Sequence, residues 1–388
     1  MKHVLVVNQF ALPRSQGGMT RHVDLFSRLE GWKTTFVAGS RNYTTQRKYK
    51  AQEPNFLQVP VPAYEGESAK RIIGWGLFTV QSAGVGLLKQ RPDVVYASTP
   101  HLLTPLAGWV VAKLRRTKLV VEVRDLWPKS LVAAGALEAG STVHRILTGL
   151  ERWIYQQADQ IVVVTNGWAE HFAELGIDAD KLTVVANGTE PADFDVDDDR
   201  ESLRQEFGFT RLTAIYAGAH GPTNGLDQLV EAARDVPDVD VVLVGSGTDK
   251  PRLQELAKGV PNVRFLDAVP KPELARLFKA ADIGVHCVRP LAVLDRGMSP
   301  NKIYDYMAAT LPVISNAGEG VKPIMADGEC GRTGRADQLA QLISGVRDAG
   351  PEALERWGRA GRERIERFHS RRAAAQTLES VLDRASGK

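Results

Sequence analysis

Apolar residues in this chain fall into short unbroken runs, separated by longer stretches in which they return every three or four positions. The runs Val4 to Val7, Thr34 to Ala38, Val94 to Ala97, Leu119 to Val123, Ile161 to Val164 and Thr183 to Val185 predict strands, and spacings such as His22, Leu25, Phe26 and Leu29 predict helices between them. Unbroken apolar strands are covered on both faces, which implies parallel sheets in an α/β fold. A second series follows at Ala214 to Tyr216, Val241 to Val244, Val263 to Leu266, Ile283 to Val285 and Val313 to Ser315. Between the two series, residues 187 to 210 break the pattern: Asn187-Gly188, Pro191 and the acidic run Asp193 to Asp199 read as a linker. The pattern therefore predicts two doubly wound halves with a cleft between them, and ligands in such sheets sit beyond the carboxyl ends of the strands.

One stretch carries more chemistry than the rest. In Ser299-Pro300-Asn301-Lys302-Ile303-Tyr304-Asp305, Ser299 suits an N-cap and Pro300 the first helical position. Free N–H groups of Asn301 and Lys302, the positive end of the helix and the Lys302 ammonium together suit a phosphate. Asn301, Lys302 and Asp305 share one helix face, so a carboxylate lies one turn beyond, where it can accept hydrogen bonds from a ribose diol. An ordinary capped amphipathic helix with Ile303 and Met307 in the core fits the same residues.

Composition narrows the class. The chain has 388 residues, 43% hydrophobic and 24% charged, the profile of a globular protein with more than one domain. Its two cysteines, Cys287 and Cys330, make no disulfide framework, so a reducing cytoplasm is the expected location. MKHVLVVNQF leads directly into a strand without a secretory signal. Residues 1 to 90 hold twelve Lys/Arg against five Asp/Glu, which suits an anionic ligand or surface. The uncharged run Ile72 to Leu88 contains four glycines and is too short and too polar to cross a membrane. Flanked by Arg71 and Lys89 and carrying Trp75 and Phe78, it fits a segment resting on the inner face of a plasma membrane, or a helix packed on the sheet.

VVLVGSGTDKPRLQELAKGVPNVRFLDAVPKPELARLFKAADIGVHC followed by SPNKIYDYMAATLPVIS resembles the nucleotide half of the retaining GT-B glycosyltransferases of family 4. GGMTRHVDLFSRLEG, VEVRDLWP, ERWIYQQADQIVVVTNGWAEHFAELG and VVANGTEPADF resemble its other half, and the bacterial cell-surface polysaccharide branch with N-acetyl-fucosaminyl transferases is the nearest in pattern. The resemblance implies two Rossmann-like domains, residues 1–190 and 191–364, with a helix in 365–388 crossing back to the first. It also implies a nucleotide-diphosphate sugar as substrate (a UDP-sugar favoured), a saccharide or lipid-linked saccharide acceptor, no cofactor, no required metal, no nucleic acid, and retention of configuration.

Carried over residue by residue, the resemblance assigns the donor to Gly17, Gly18, Gly218, His220, Gly221, Val269, Arg289, Gly297, Met298, Ser299, Asn301, Lys302 and Asp305. Arg124, Asp125 and Lys302 are the implied catalytic residues, and His101 an implied acceptor contact. Three departures matter. The family's paired acids fall on Gly297 and Asp305, leaving main chain at Gly297 to Ser299, or Asp295, to hold the sugar. A family Arg and Lys are replaced by Ala219 and Asn224, which shifts the diphosphate onto backbone amides of Ala219 to Gly221 and onto Lys302, with Arg289 or Arg296 as further candidates. Arg124-Asp125 stands where many relatives have His-Asp, and a structural Arg–Asp ion pair is the competing reading. Without a second well-placed carboxylate, same-face substitution assisted by preorganised donors is favoured over double displacement. A sugar-nucleotide epimerase on the same fold and a degenerate sugar-nucleotide binder are the rivals.

Overall fold

The computed structural model describes residues 1–16, 20–43, 45–64, 69–99 and 101–387. Packing divides the chain into Met1–Ala186 with Ala374–Lys388, and Asn187–Ala373.

In the first unit the strands are β1 (Lys2–Val7), β2 (Trp32–Gly39), β3 (Phe56–Val59), β4 (Val94–Thr99), β5 (Lys118–Val123), β6 (Gln160–Val163) and β7 (Leu182–Val184). Its helices are α1 (Arg21–Phe26), α2 (Ala69–Leu88), α3 (Leu103–Arg115), α4 (Lys129–Ala133), α5 (Thr142–Gln157) and α6 (Ala169–Glu174). The sheet runs β3-β2-β1-β4-β5-β6-β7 with parallel pairings throughout. Every residue of β4 is buried, as an unbroken apolar strand requires.

The second unit contains α7 (Arg200–Phe207), β8 (Thr213–Ala217), α8 (Leu226–Arg234), β9 (Asp240–Val244), α9 (Lys250–Leu256), β10 (Val263–Leu266) and α10 (Lys271–Ala280). It continues through β11 (Ile283–His286), α11 (Ala292–Asp295), α12 (Asn301–Ala308), β12 (Val313–Ser315), β13 (Gly331–Thr333), α13 (Leu339–Asp348) and α14 (Gly350–Arg364). Its parallel sheet runs β10-β9-β8-β11-β12-β13. The last helix, α15 (Arg371–Ser386), buries Ala374, Ala375, Leu378, Val381, Leu382 and Ala385 in the core of the first unit, against Val4, Phe26 and Trp32.

Three local expectations change. The stretch 187–210 read as linker contains α7, because Asp199 caps it by accepting from the Ser202 N–H at 2.9 Å and Gly208 closes it in a left-handed conformation. Two edge strands, β3 and β13, lie outside the predicted runs. Trp75 and Phe78, which would reach a bilayer on one of the two readings of this segment, point inward as the other reading has it: Phe78 is fully buried, and the Trp75 ring stacks on His101 with centroids 4.7 Å apart. No helix among the described residues is long and apolar enough to cross a membrane.

Candidate functional site

In the second unit the chain builds β8, β9 and β10 in one direction and then β11, β12 and β13 in the other, so the sheet reverses between β8 and β11. The loops leaving those two strands diverge there, opening the crevice in which such sheets hold ligands. One loop is Gly218 to Gly221; the other leads from β11 to the N-terminus of α12.

The α12 terminus differs from expectation in a useful way. Pro300, not Ser299, is the N-cap residue, and no side chain caps the helix. Ser299 is occupied elsewhere: its hydroxyl accepts from the Asn187 N–H at 2.9 Å and shares a 2.8 Å hydrogen bond with the Tyr304 hydroxyl, and its carbonyl accepts from Asn187 Nδ2 at 2.6 Å. Among the described residues, the N–H groups of Asn301 and Lys302 therefore have no protein acceptor. They are the unsatisfied donors, at the positive end of the helix, that bind anions.

The Lys302 side chain lies across the first glycine loop. Its Nζ is 5.1 Å from the centroid of the Tyr216 ring, and a Cβ on Gly218 would fall 2.6 Å from its Cε. Among the described residues no carboxylate or hydrogen-bond acceptor pairs with this ammonium. Burial lowers its pKa, opposed by Cys287 and Asp305. A desolvated cation without a counter-ion, beside a helix N-terminus, is a site arranged for an anion.

The glycine loop supplies part of what was expected. The Gly218 N–H is bonded to the Val244 carbonyl at 3.0 Å and that of His220 to Ser246 at 2.8 Å, while the amides of Ala219 and Gly221 have no acceptor among the described residues. His220 is not on the phosphate side of the loop. Its ring is fully buried between Tyr216 and Phe265, with both nitrogens unpartnered, and burial followed by the charges of Lys250 and Lys302 lowers its pKa and keeps it neutral. The following loop presses on this one so closely that a Cβ on Gly245 would lie 1.9 Å from the Gly218 carbonyl.

Other assigned residues are committed within the fold. Arg289 is held by Asp227, with Nη2 at 2.9 and 3.0 Å from its two oxygens, and by the Pro222 carbonyl at 3.1 Å, so its charge is already neutralised. The Gly297 and Met298 amides donate to Leu294 and Gly320, both at 3.1 Å, leaving only the Ser299 N–H of that trio unbonded. At φ +119° the Gly297 backbone is one that side chains rarely adopt, so an acid placed here would strain it. Asp305 Oδ1 accepts from the Thr189 hydroxyl at 2.6 Å; burial raises its carboxyl, while Thr189, Lys271 and Arg371 pull it down. Asn301 is exposed, and Val269 is half-buried in the loop after β10.

In the first unit the sheet reverses between β1 and β4, and there the residues close on one another. His101 is buried, with Nε2 2.9 Å from Gln9 Oε1, and burial with the Arg71 charge drives its pKa down to about 3, so it is a neutral plug rather than a surface contact. Gly17 and Gly18 lie outside the described residues. Arg124 and Asp125 follow β5 without forming the ion pair: the Arg124 amide donates to Thr99 Oγ1 at 3.0 Å, and its guanidinium has no acceptor among the described residues. Burial and then Arg21 lower the Arg124 pKa, against Glu122 and Asp125. Asp125 is exposed by area, yet the protein crowded around it raises its carboxyl, with Arg124 opposing.

Sequence reasoning missed the group beneath Arg124. Glu122 is fully buried, 2.6 Å from His22 Nε2 and 3.2 Å from Arg21 Nε. Burial alone would raise its carboxyl, but His22 and Arg21 hold it well below the usual range. The available signal was a single charge inside the valine run Val120-Val121-Glu122-Val123.

Comparison with known proteins agrees with this architecture. Residues 17–188 match the family model described as glycosyl transferase 4-like domain, and residues 211–348 the one described as glycosyl transferases group 1. The chain belongs to the GT-B glycosyltransferases. WcaI of Escherichia coli, named for colanic acid biosynthesis, is 25% identical over 256 residues, 62% of this chain and 63% of that protein. The chain thus spans just under two thirds of that relative's length. The alpha-maltose-1-phosphate synthase of Mycolicibacterium smegmatis is 25% identical over 355 residues, 84% of this chain and 86% of its own. In structure, HepE of Anabaena in complex with UDP superimposes with a TM-score of 0.72 at 16% identity, over 99% of this chain and all of that one. At that identity the likeness speaks for the GT-B fold.

Proposed function

We propose that this glycosyltransferase uses a UDP-sugar and transfers the sugar, with retention of configuration, to a saccharide or lipid-linked saccharide. The observation that carries the reading is the Lys302 ammonium, desolvated and without a counter-ion at the bare N-terminus of α12. The diphosphate would rest on the amides of Asn301, Lys302, Ala219 and Gly221, and the ribose would take the Asp305 oxygen not held by Thr189. HepE, solved with UDP and with UDP-glucose, supports uridine as the base. Backbone at Val269 is the proposed contact for that base. Arg124, with no acceptor of its own, would meet an anionic group of a substrate.

Same-face substitution suits this site. The bond from the anomeric carbon to the diphosphate oxygen breaks while the acceptor hydroxyl bonds to that carbon, and the departing oxygen takes the hydroxyl proton. Charge accumulates on the diphosphate, where preorganised donors and Lys302 assist it most. The test is donor turnover for UDP-, GDP- and dTDP-sugars, with and without saccharide acceptors, beside thermal shifts. The expected donor at about 100 times its dissociation constant adds about 2.7 kcal/mol of stability and is consumed only with acceptor. Conversion of donor without acceptor would point to an epimerase, and stabilisation without turnover to a binder.

A further inference from the structure

Helix α2 is apolar on opposite sides. Its inner stripe, Gly74, Phe78, Ser82 and Gly86, packs on the domain: a Cβ on Gly74 would sit 3.3 Å from Pro62, and one on Gly86 2.7 Å from Val111. The opposite stripe is bare. Ile72 is 62% exposed, Ile73 58%, Leu77 46% and Val80 73%, while Gly76 and Gly84 on the same side face open space. A helix that is apolar all round is normally enclosed on every side. Here one long side is covered and the other has no protein against it.

The charge around this stripe indicates what covers it. Arg47, Lys48, Lys50, Lys70 and Lys89 are exposed, and none has an ion-pair partner among the described residues. The basic loop is attached to the start of the helix: Arg41 donates to the Val61 carbonyl at 3.0 Å, the Tyr64 N–H to Gln46 Oε1 at 3.4 Å, and the Arg71 guanidinium lies 5.7 Å from the Tyr64 ring. Neither α2 nor residues 40–50 contain an acidic residue; Glu65 and Glu67, between them, lie outside the described residues. Twenty residues span about 30 Å, and with its inner side already packed the helix can lie on a bilayer but not cross one.

We propose that the outer face of α2 docks on an anionic lipid surface, Ile73, Leu77 and Val80 entering the interface while the lysines meet the headgroups. The proposal concerns where the protein sits and goes beyond the transfer reaction; it holds for a soluble or a lipid-linked acceptor.

Co-sedimentation of the full chain with phosphatidylcholine vesicles, with and without phosphatidylglycerol, tests it. Binding is expected only to the anionic vesicles at about 0.05 M salt and should weaken strongly at about 0.5 M, as screening shortens the reach of the lysines. The variant Ile73→Ser/Leu77→Ser/Val80→Ser should lose about tenfold or more of that binding, and Lys48→Glu/Lys50→Glu should lose the preference for anionic lipid. Thermal stabilisation by UDP, measured on the same triple variant, should be unchanged, which separates failure of docking from failure of the donor site. No sedimentation at low salt, or equal binding by the triple variant, overturns the proposal. So does a solution dimer that the triple variant converts to monomer, since a second copy would then be the occupant.

Discussion

Both sheets reverse their strand order once, between β1 and β4 and between β8 and β11, yet the two reversals are furnished in opposite ways. In the first unit the place is plugged by His101 against Gln9, with Trp75 stacked on the histidine. In the second it is left polar and, among the described residues, unsatisfied: two helix amides, two loop amides and a half-buried, desolvated ammonium without a partner. The same topology thus supplies one closed end and one prepared for an anion. An unpaired, desolvated cation is a cost to folding that an anionic ligand removes, so the difference points to function rather than fold.

The sharpest way to break the comparison is Lys302→Met. Turnover should fall about 10³-fold, the range for losing a preorganised contact to developing negative charge. The ligand-free protein should melt no lower than the parent, because a desolvated charge has been replaced by an apolar chain of similar length. Steady-state kinetics beside calorimetry decide it. Turnover within tenfold of the parent would remove Lys302 from the chemistry, and a large drop in melting temperature would mean the ammonium is a structural group.

Next in size is the contact that shapes the glycine loop. Gly245→Ala places a methyl 1.9 Å from the Gly218 carbonyl, at a backbone φ of +149°. Overpacking against main chain and a strained backbone together should destabilise the second unit by about 3 kcal/mol. UDP affinity should fall with it, because the Ala219 and Gly221 amides move. A stable variant with normal affinity would show that the two loops are not coupled.

How much of this was legible depended on the kind of signal. The eleven strands that were predicted announced themselves as apolar runs; of the two missed, β13 has no apolar residue at all in Gly331-Arg332-Thr333, and β3, Phe56-Leu57-Gln58-Val59, is a four-residue edge strand whose apolar run Gln58 interrupts. Lys302 and the α12 terminus could be read because helix-start chemistry is local. The fates of Ser299, Arg289 and His220 could not, since each is decided by a partner far along the chain or in the next strand: Asn187 for the first, Asp227 for the second, and Tyr216 with Phe265 for the third. The absence of an Arg124–Asp125 pair was likewise invisible, because Asp125 adjoins Arg124 in sequence while the two side chains stay apart.

A third prediction uses acid. His101 in the first unit and His286 in the second are both buried, and burial, helped by Arg71 and Lys302 respectively, lowers each pKa to about 3. An unfolded histidine titrates near 6.5, so between about pH 6.5 and 3 the unfolded chain holds the extra protons and stability falls as pH drops. From pH 7 to 5 each should remove about 2 kcal/mol. His101→Gln and His286→Asn should each flatten the pH dependence of denaturant unfolding, one in each unit. If neither slope changes, the buried rings are not the acid-sensitive groups.

The smallest expected effect tests which way α2 faces. Gly84 and Gly86 are two residues apart in one helix, so propensity treats them alike: alanine at either should add up to about 1 kcal/mol. Packing separates them. A Cβ on Gly84 meets nothing within 4 Å, whereas one on Gly86 falls 2.7 Å from Val111 Cγ2 and 3.1 Å from Leu5 Cδ2. Gly84→Ala should therefore stabilise the first unit by about 1 kcal/mol, while Gly86→Ala should destabilise it, because shifting a fully buried valine and leucine outweighs the gain in helix propensity. Chemical denaturation of the two variants side by side gives the sign of each. Two stabilising substitutions would mean that the helix is not seated on α3 as described, and two destabilising ones that its outer face is already covered by protein in solution, which would also leave no room for a bilayer there.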